Sequence, residues 1–193
     1  MPHNMIARIH DLFNNTALRK TFLKIRLPLG LVFLILIATQ IKPAYFFPGL
    51  ALSVLGELFQ VWCLATIKTK KKLTVVGPYM FMRNPMYVGR FFQLFGIIMM
   101  TGNAWFMLAF AVLYYFYMIN RVKREEKVLL ALFGNDYEEY CRNVNRYLPS
   151  LKKFDRKLMW SFDKESFRQN HAAINILATG ICYMILYIVA FHW

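Results

Sequence analysis

"VVGPYMFMRNPMYVGRFFQLFGI", Val75–Ile97, begins as a turn and ends as a hydrophobic helix. Gly77-Pro78 marks the turn, because glycine admits unusual backbone angles and proline pre-sets φ. Asn84-Pro85 is a second boundary, with Pro85 suited to the first turn of a helix, where no backbone N–H is needed. From Tyr87 onward the residues are nearly all apolar. Tyr79, Arg83, Asn84 and Tyr87 are thus held between two rigid points, beside the free amides of a helix start.

Working outward, this helix is one of several membrane-length segments. A hydrocarbon core of about 30 Å needs roughly 20 helical residues. Candidate spans run over 27–47, 50–67, 87–100, 104–120 and 172–192, with turns expected at Pro48-Gly49 and at 101–103. The third is short, which suits a tilted or partly embedded helix. The expected fold is all-α: an integral membrane bundle of about five transmembrane helices, with cytoplasmic amphipathic helices closing a site. Its parts are a basic N-terminal segment (1–26), a transmembrane hairpin (27–67), a core (68–150), a basic linker (151–171) and a C-terminal span (172–192).

The chain has 193 residues, of which 58% are hydrophobic and 17% aromatic, yet its formal charge is +14. In a soluble protein that charge would suggest nucleic-acid binding. Here it is confined to blocks between apolar segments: all but one of the 24 Lys and Arg fall in 1–26, 68–90 and 121–170, the exception being Lys42. That asymmetry places the N-terminus and the large loops in the cytoplasm and argues against a nucleic-acid partner. No apolar leader opens the first 26 residues. Compactness and the lack of targeting signals point to a bacterial inner membrane, with membrane lipids as surroundings.

Cys63, Cys141 and Cys182 lack CxxC spacing, and the four histidines are scattered, so local motifs assemble no metal site. Glu57 lies in mid-span, with Ser53 and Gln60 on the same helical face. An intramembrane acid is a functional candidate; the alternative is a polar stripe bonding neighbouring helices, which Gly49 and Gly56 favour by permitting close packing.

A second constellation, "RVKREEKVLLALFGNDYEEYCRNVNRYLP", covers Arg121–Pro149. Arg121 and Glu125 are four apart and share a helical face, while Glu126 points about a quarter-turn away. Gly134-Asn135 is expected to end this helix, and a further one to run from Asp136 to about Val144. Read alone, this is a solvated amphipathic helix, and the 77–89 stretch alone is an interfacial anchor in which Arg83 meets lipid phosphate.

Together the two stretches resemble the isoprenylcysteine carboxyl methyltransferase family and the related phospholipid methyltransferases. The resemblance rests on "GPYxxxRNPxYxG" at 77–89 and "RxxxEE…FGxxYxxYxxxVxRYLP" at 121–149, within about residues 50–150. It implies an integral membrane enzyme that uses S-adenosylmethionine without a Rossmann domain, in keeping with the lack of a GxGxxG loop after a strand. By motif position, Tyr79, Asn84, Pro85, Met86, Tyr87 and Glu125 would contact the cofactor. Residues 71–74, including Leu73 and Thr74, align with a further cofactor-contacting stretch. Arg121 aligns with an arginine that meets the polar head of the substrate. Arg83 and Glu126 are further candidates on the substrate side, and Arg121 and Glu125 are the candidates for the catalytic centre. The eukaryotic prenylcysteine enzymes carry histidine where this chain has Asn84, which cannot titrate near neutral pH. Glu57, Glu126 or water remain as bases.

The residue types suit methyl transfer, an in-line displacement that requires alignment and shielding. A carboxylate such as Glu125 can bind ribose hydroxyls or an amino group. An arginine fork can bind an acceptor carboxylate or phosphate. The expected function is methyl transfer from S-adenosylmethionine to a lipophilic acceptor, either a carboxylate such as isoprenylcysteine or a lipid amine. The alternative is a non-catalytic membrane scaffold or small transporter of the same fold.

Overall fold

The computed structural model describes residues 5–68, 72–152 and 155–192. Of the basic run at 68–72 and the stretch 71–74, residues 69–71 lie outside the described residues. Eight α-helices follow one another: α1 (Met5–Asn14), α2 (Thr16–Ala38), α3 (Pro43–Leu64), α4 (Pro85–Met99), α5 (Ala104–Asn143), α6 (Arg156–Met159), α7 (Lys164–Gln169) and α8 (Ala172–His192). A 3-10 turn, Gly77–Met80, precedes α4. Four of the helices, α2, α3, α5 and α8, are long and apolar enough to cross a membrane. The fifteen-residue α4 is about 22 Å long at 1.5 Å per residue, short of a full bilayer core.

The first hairpin differs from expectation. The turn lies at 39–42 rather than at Pro48-Gly49, and Pro48 is inside α3. Pro43 explains the shift: it occupies the first turn of α3 after an extended Lys42, where its missing N–H is no loss. Lys42 N–H instead donates to Met100 O at 3.0 Å, stitching this turn to the one between α4 and α5. At the other end, α2 starts at Thr16, not Leu27. Asn15 caps it by accepting from Ala17 N and Leu18 N, and the Arg and Lys residues that follow are good helix formers. The fourth span likewise continues past Asn120 as far as Gly134, and a second helical stretch follows to Asn143, as the Gly134-Asn135 pair leads one to expect. Gly134 (φ 49°, ψ −123°) kinks this helix where the sequence suggests an end.

The centre of the bundle is the antiparallel pair α3 and α4. Gly49 and Gly56 on α3 face Gly96 and Gly89 on α4 so closely that a Cβ at Gly49 would lie 2.6 Å from Gly96 O. Such contact puts two backbones in direct van der Waals packing. Helix α8 lies antiparallel against α3, with Phe46, Met100, Ala38 and Leu186 forming an apolar cluster near the 39–42 turn. At the opposite end, the C-terminal end of α3 and the residues just after it are bonded from far along the chain. Asn170 donates to Leu64 O (2.8 Å) and Ile67 O (3.0 Å), Asp163 N to Ala65 O (2.8 Å), and Thr66 Oγ1 to Ser161 O (2.9 Å).

Candidate functional site

The two sequence constellations meet at this second end. The 77–84 lip is strapped to the segment after α5 by Arg83 N–H to Asn145 O (2.9 Å) and Ser150 N–H to Phe81 O (2.7 Å). Gly77 takes φ +60° with Thr66 packed against it, so a side chain there would be both strained and crowded. Tyr140 Oη donates to Tyr79 O at 2.6 Å and pins the turn from the far side of the Gly134 kink.

Beneath this strap lies an ion cluster. Glu126, almost buried, faces Arg83 Nε at 3.2 Å and accepts from Arg146 Nη2 at 2.6 Å. Asn84 Nδ2 also donates to Glu126 Oε1 at 3.1 Å. Burying a carboxylate is tolerable only with such partners. The cluster joins α4's start, α5 and the 144–150 segment into one unit.

Above it opens a cavity of about 600 Å³. Its walls bring together Leu73, Thr74, Tyr79, Arg83, Asn84, Met86, Tyr87, Arg121 and Glu125 among the residues singled out by sequence. Pro85 and Glu126 are not on its surface: Pro85 is buried in the first turn of α4, and Glu126 belongs to the ion cluster below. Arg121 Nε lies 2.8 Å from Glu125 Oε1 and donates to Tyr87 Oη at 3.3 Å. Tyr87 is set in turn by Tyr114, whose hydroxyl donates to Tyr87 O at 2.7 Å.

Tyr79 differs from these. Its hydroxyl is buried and has no hydrogen-bond partner among the described residues, although the residue lines the cavity. Burial, reinforced by neighbouring groups such as Cys63 and Tyr140, pushes this phenol well above the usual tyrosine range, so it stays protonated and able to donate. A buried donor left unmatched costs roughly 1–3 kcal/mol.

Other wall residues escaped the sequence reading. Val128 and Leu129 continue the Glu125 face by three and four residues, a spacing that could have revealed them. Arg90 follows Met86 by the same logic. Arg19 and Arg124 reach the cavity through the packing of the N-terminal helices on α5, where Arg124 Nη1 donates to Asn14 Oδ1 at 2.6 Å. No local pattern announces that contact.

A family model described as phospholipid methyltransferase matches residues 34–136, more than half of the chain. The chain belongs to this family. As a phospholipid methyltransferase family member it is 33% identical over 89 residues to protein-S-isoprenylcysteine O-methyltransferase of Schizosaccharomyces pombe, covering 46% of this chain and 38% of that one. It is 30% identical over 130 residues to the nickel-cobalt-cadmium resistance protein NccN of Alcaligenes xylosoxydans xylosoxydans, covering 64% and 57% of the two chains. Protein-S-isoprenylcysteine O-methyltransferase B of Arabidopsis thaliana is 30% identical over 143 residues, 62% of this chain and 73% of that protein. The chain therefore spans well under two thirds of the first two relatives. No solved structure matches it. The phospholipid methyltransferase match takes in the 77–89 lip and the Arg121-Glu125 pair, and it leaves out α8 and the strap at 144–150.

Proposed function

We propose that this protein is an integral membrane methyltransferase that binds S-adenosylmethionine in the 600 Å³ cavity and methylates a lipophilic acceptor. The observation that carries the reading is the convergence of both motif stretches on one cavity that holds a carboxylate, Glu125, and an unmatched buried donor, Tyr79. Its volume falls within the range of sites for drug-sized ligands, about 300–1,000 Å³. The similarity to protein-S-isoprenylcysteine O-methyltransferases supports the same reading.

In this reading the cofactor supplies an activated methyl group on a sulfonium. Glu125 would accept from its hydroxyl or amino groups, and Tyr79 would donate to one of its acceptors. Met86 and Tyr87 would provide soft, polarisable walls for the sulfonium and the adenine. Leu73, Thr74 and Asn84 would close the rim, with Pro85 fixing the helix start behind them. Arg121, already oriented by Glu125 and Tyr87, would meet an anionic group of the acceptor. Arg83 and Glu126 would act from below by holding the strap in place. The basic loops and the site would face the cytoplasm, with the acceptor's tail left in lipid.

Calorimetry in detergent with S-adenosylhomocysteine tests this. Saturable binding that is abolished by Glu125→Ala is expected. Folded protein that shows no binding would sink the proposal and favour a scaffold or transporter.

A further inference from the structure

Glu57 and Gln60 on α3, Arg90 and Gln93 on α4 and Asn175 and Thr179 on α8 line a second cavity of about 200 Å³ between the three helices. Most of its polar groups are satisfied by one another. Gln93 Nε2 donates to Glu57 Oε2 and to Thr179 Oγ1, Gln60 Nε2 donates to Gln93 Oε1 at 2.6 Å, and Arg90 Nε donates to Gln60 Oε1 at 3.3 Å. The remainder is Glu57 Oε1. It is shielded from solvent and has no hydrogen-bond partner among the described residues. At membrane depth such an acceptor is costly, because no water is at hand to answer it.

We infer that this cavity binds the methyl-accepting end of the acceptor, and that this end carries an N–H or O–H and no anionic charge, any anionic group elsewhere on the molecule being left to Arg121. The unanswered carboxylate oxygen asks for a donor. A carboxylate ligand would instead set a second anion beside Glu57 in a low-dielectric space where Arg90 offers only one positive charge. The position also fits. Leu64, Met86 and Arg90 line this cavity and the larger one alike, so the two share a wall. Leu58 of α3 and Leu177 of α8 are exposed apolar side chains on the same helices, of the kind along which a hydrocarbon tail can run. Helix α8 thereby supplies part of a binding site although it lies outside the family-matched residues. The assignment of the ligand as methyl acceptor rests on the proposed methyl transfer; the binding site itself does not.

Three photoreactive probes separate the possibilities, each a dodecyl chain with the same diazirine but ending in an amine, a hydroxyl or a carboxylate. The full chain in phospholipid nanodiscs is irradiated with each, and the labelled peptides are mapped by mass spectrometry. The amine or the hydroxyl probe should label α3 and α8 peptides, and Glu57→Gln should lower that labelling by about tenfold, the scale of a lost charged hydrogen bond. On those α3 and α8 peptides the carboxylate probe should stay at background, and S-adenosylhomocysteine affinity should be unchanged in the variant. If Glu57→Gln fails to fold, Asn175→Phe on the lipid-facing α8 should block the cavity with the same loss of labelling. Equal labelling by the carboxylate probe, or amine and hydroxyl labelling indifferent to both variants, would overturn the inference. So would a parallel loss of cofactor affinity, since Glu57 would then be shaping the larger cavity. Glu57-dependent labelling in a protein that binds no S-adenosylhomocysteine would uphold the site while removing the methyltransferase reading.

Discussion

At the residue scale, Tyr79 and Glu126 do different work although sequence places both near the site. Tyr79 offers a donor with nothing yet to receive it. Tyr79→Phe should therefore weaken S-adenosylhomocysteine binding by roughly tenfold, the worth of about one hydrogen bond, while leaving thermal stability unchanged or improved. Isothermal calorimetry beside a thermal melt reads both. Glu126 is already spent on Arg83 and Arg146. Glu126→Ala should instead lower stability by roughly 3–5 kcal/mol, because Arg83 is left nearly buried without its counter-ion. Denaturant titration checks it, and an unchanged midpoint would remove the structural role. The sequence shows that Arg121, Glu125 and Glu126 sit within about a turn and a half of one helix, and it even shows the quarter-turn between the glutamates. It cannot show which side the cavity takes, since that depends on where Arg146 arrives from a segment twenty residues on.

At the scale of elements, the α3–α4 pair is the rigid piece on which the lip is mounted. A Cβ at Gly56 would drive into the backbone of Gln93 and Gly89. Gly56→Ala should cost about 1–3 kcal/mol by overpacking and should also disturb the hydrogen bonds of Gln60 and Gln93. Gly30→Ala, with open space around it, should be silent or mildly stabilising in the same thermal assay. The existence of these helices is legible from hydropathy alone, and the break at Gly134 from the Gly-Asn pair. The first turn is less so. Pro43 and Pro48 are equally strong punctuation in sequence, and only the docking of Lys42 N–H on Met100 O separates them. The stripe of Ser53, Glu57 and Gln60 is visible as a periodicity, but its partner on α8 is not, since Thr179 and Tyr183 sit in an otherwise plain apolar segment.

Over the whole molecule, the basic loops gather at one end of the bundle and the turns at 39–42 and 100–103 at the other. With its native cysteines replaced, the chain carrying Asn103→Cys should react with a membrane-impermeant maleimide only from outside intact cells. Glu138→Cys, exposed beyond the Gly134 kink, should react only after the cells are opened. Labelling of both from the same side would refute the proposed orientation. The end that holds the cavity is assembled from widely separated parts of the chain: the carbonyls of Leu64, Ala65 and Ile67 accept from Asp163 and Asn170, and Thr66 Oγ1 donates to Ser161 O, at separations of about a hundred residues. Synthesis proceeds from the N-terminus. A ribosome still working on the strap has therefore already made the lip, α4 and Glu125, yet the carbonyls of Leu64, Ala65 and Ile67 wait for residues that have not been made. The far end of the molecule can settle early, and the cavity's floor is among the last parts of the nascent protein to close.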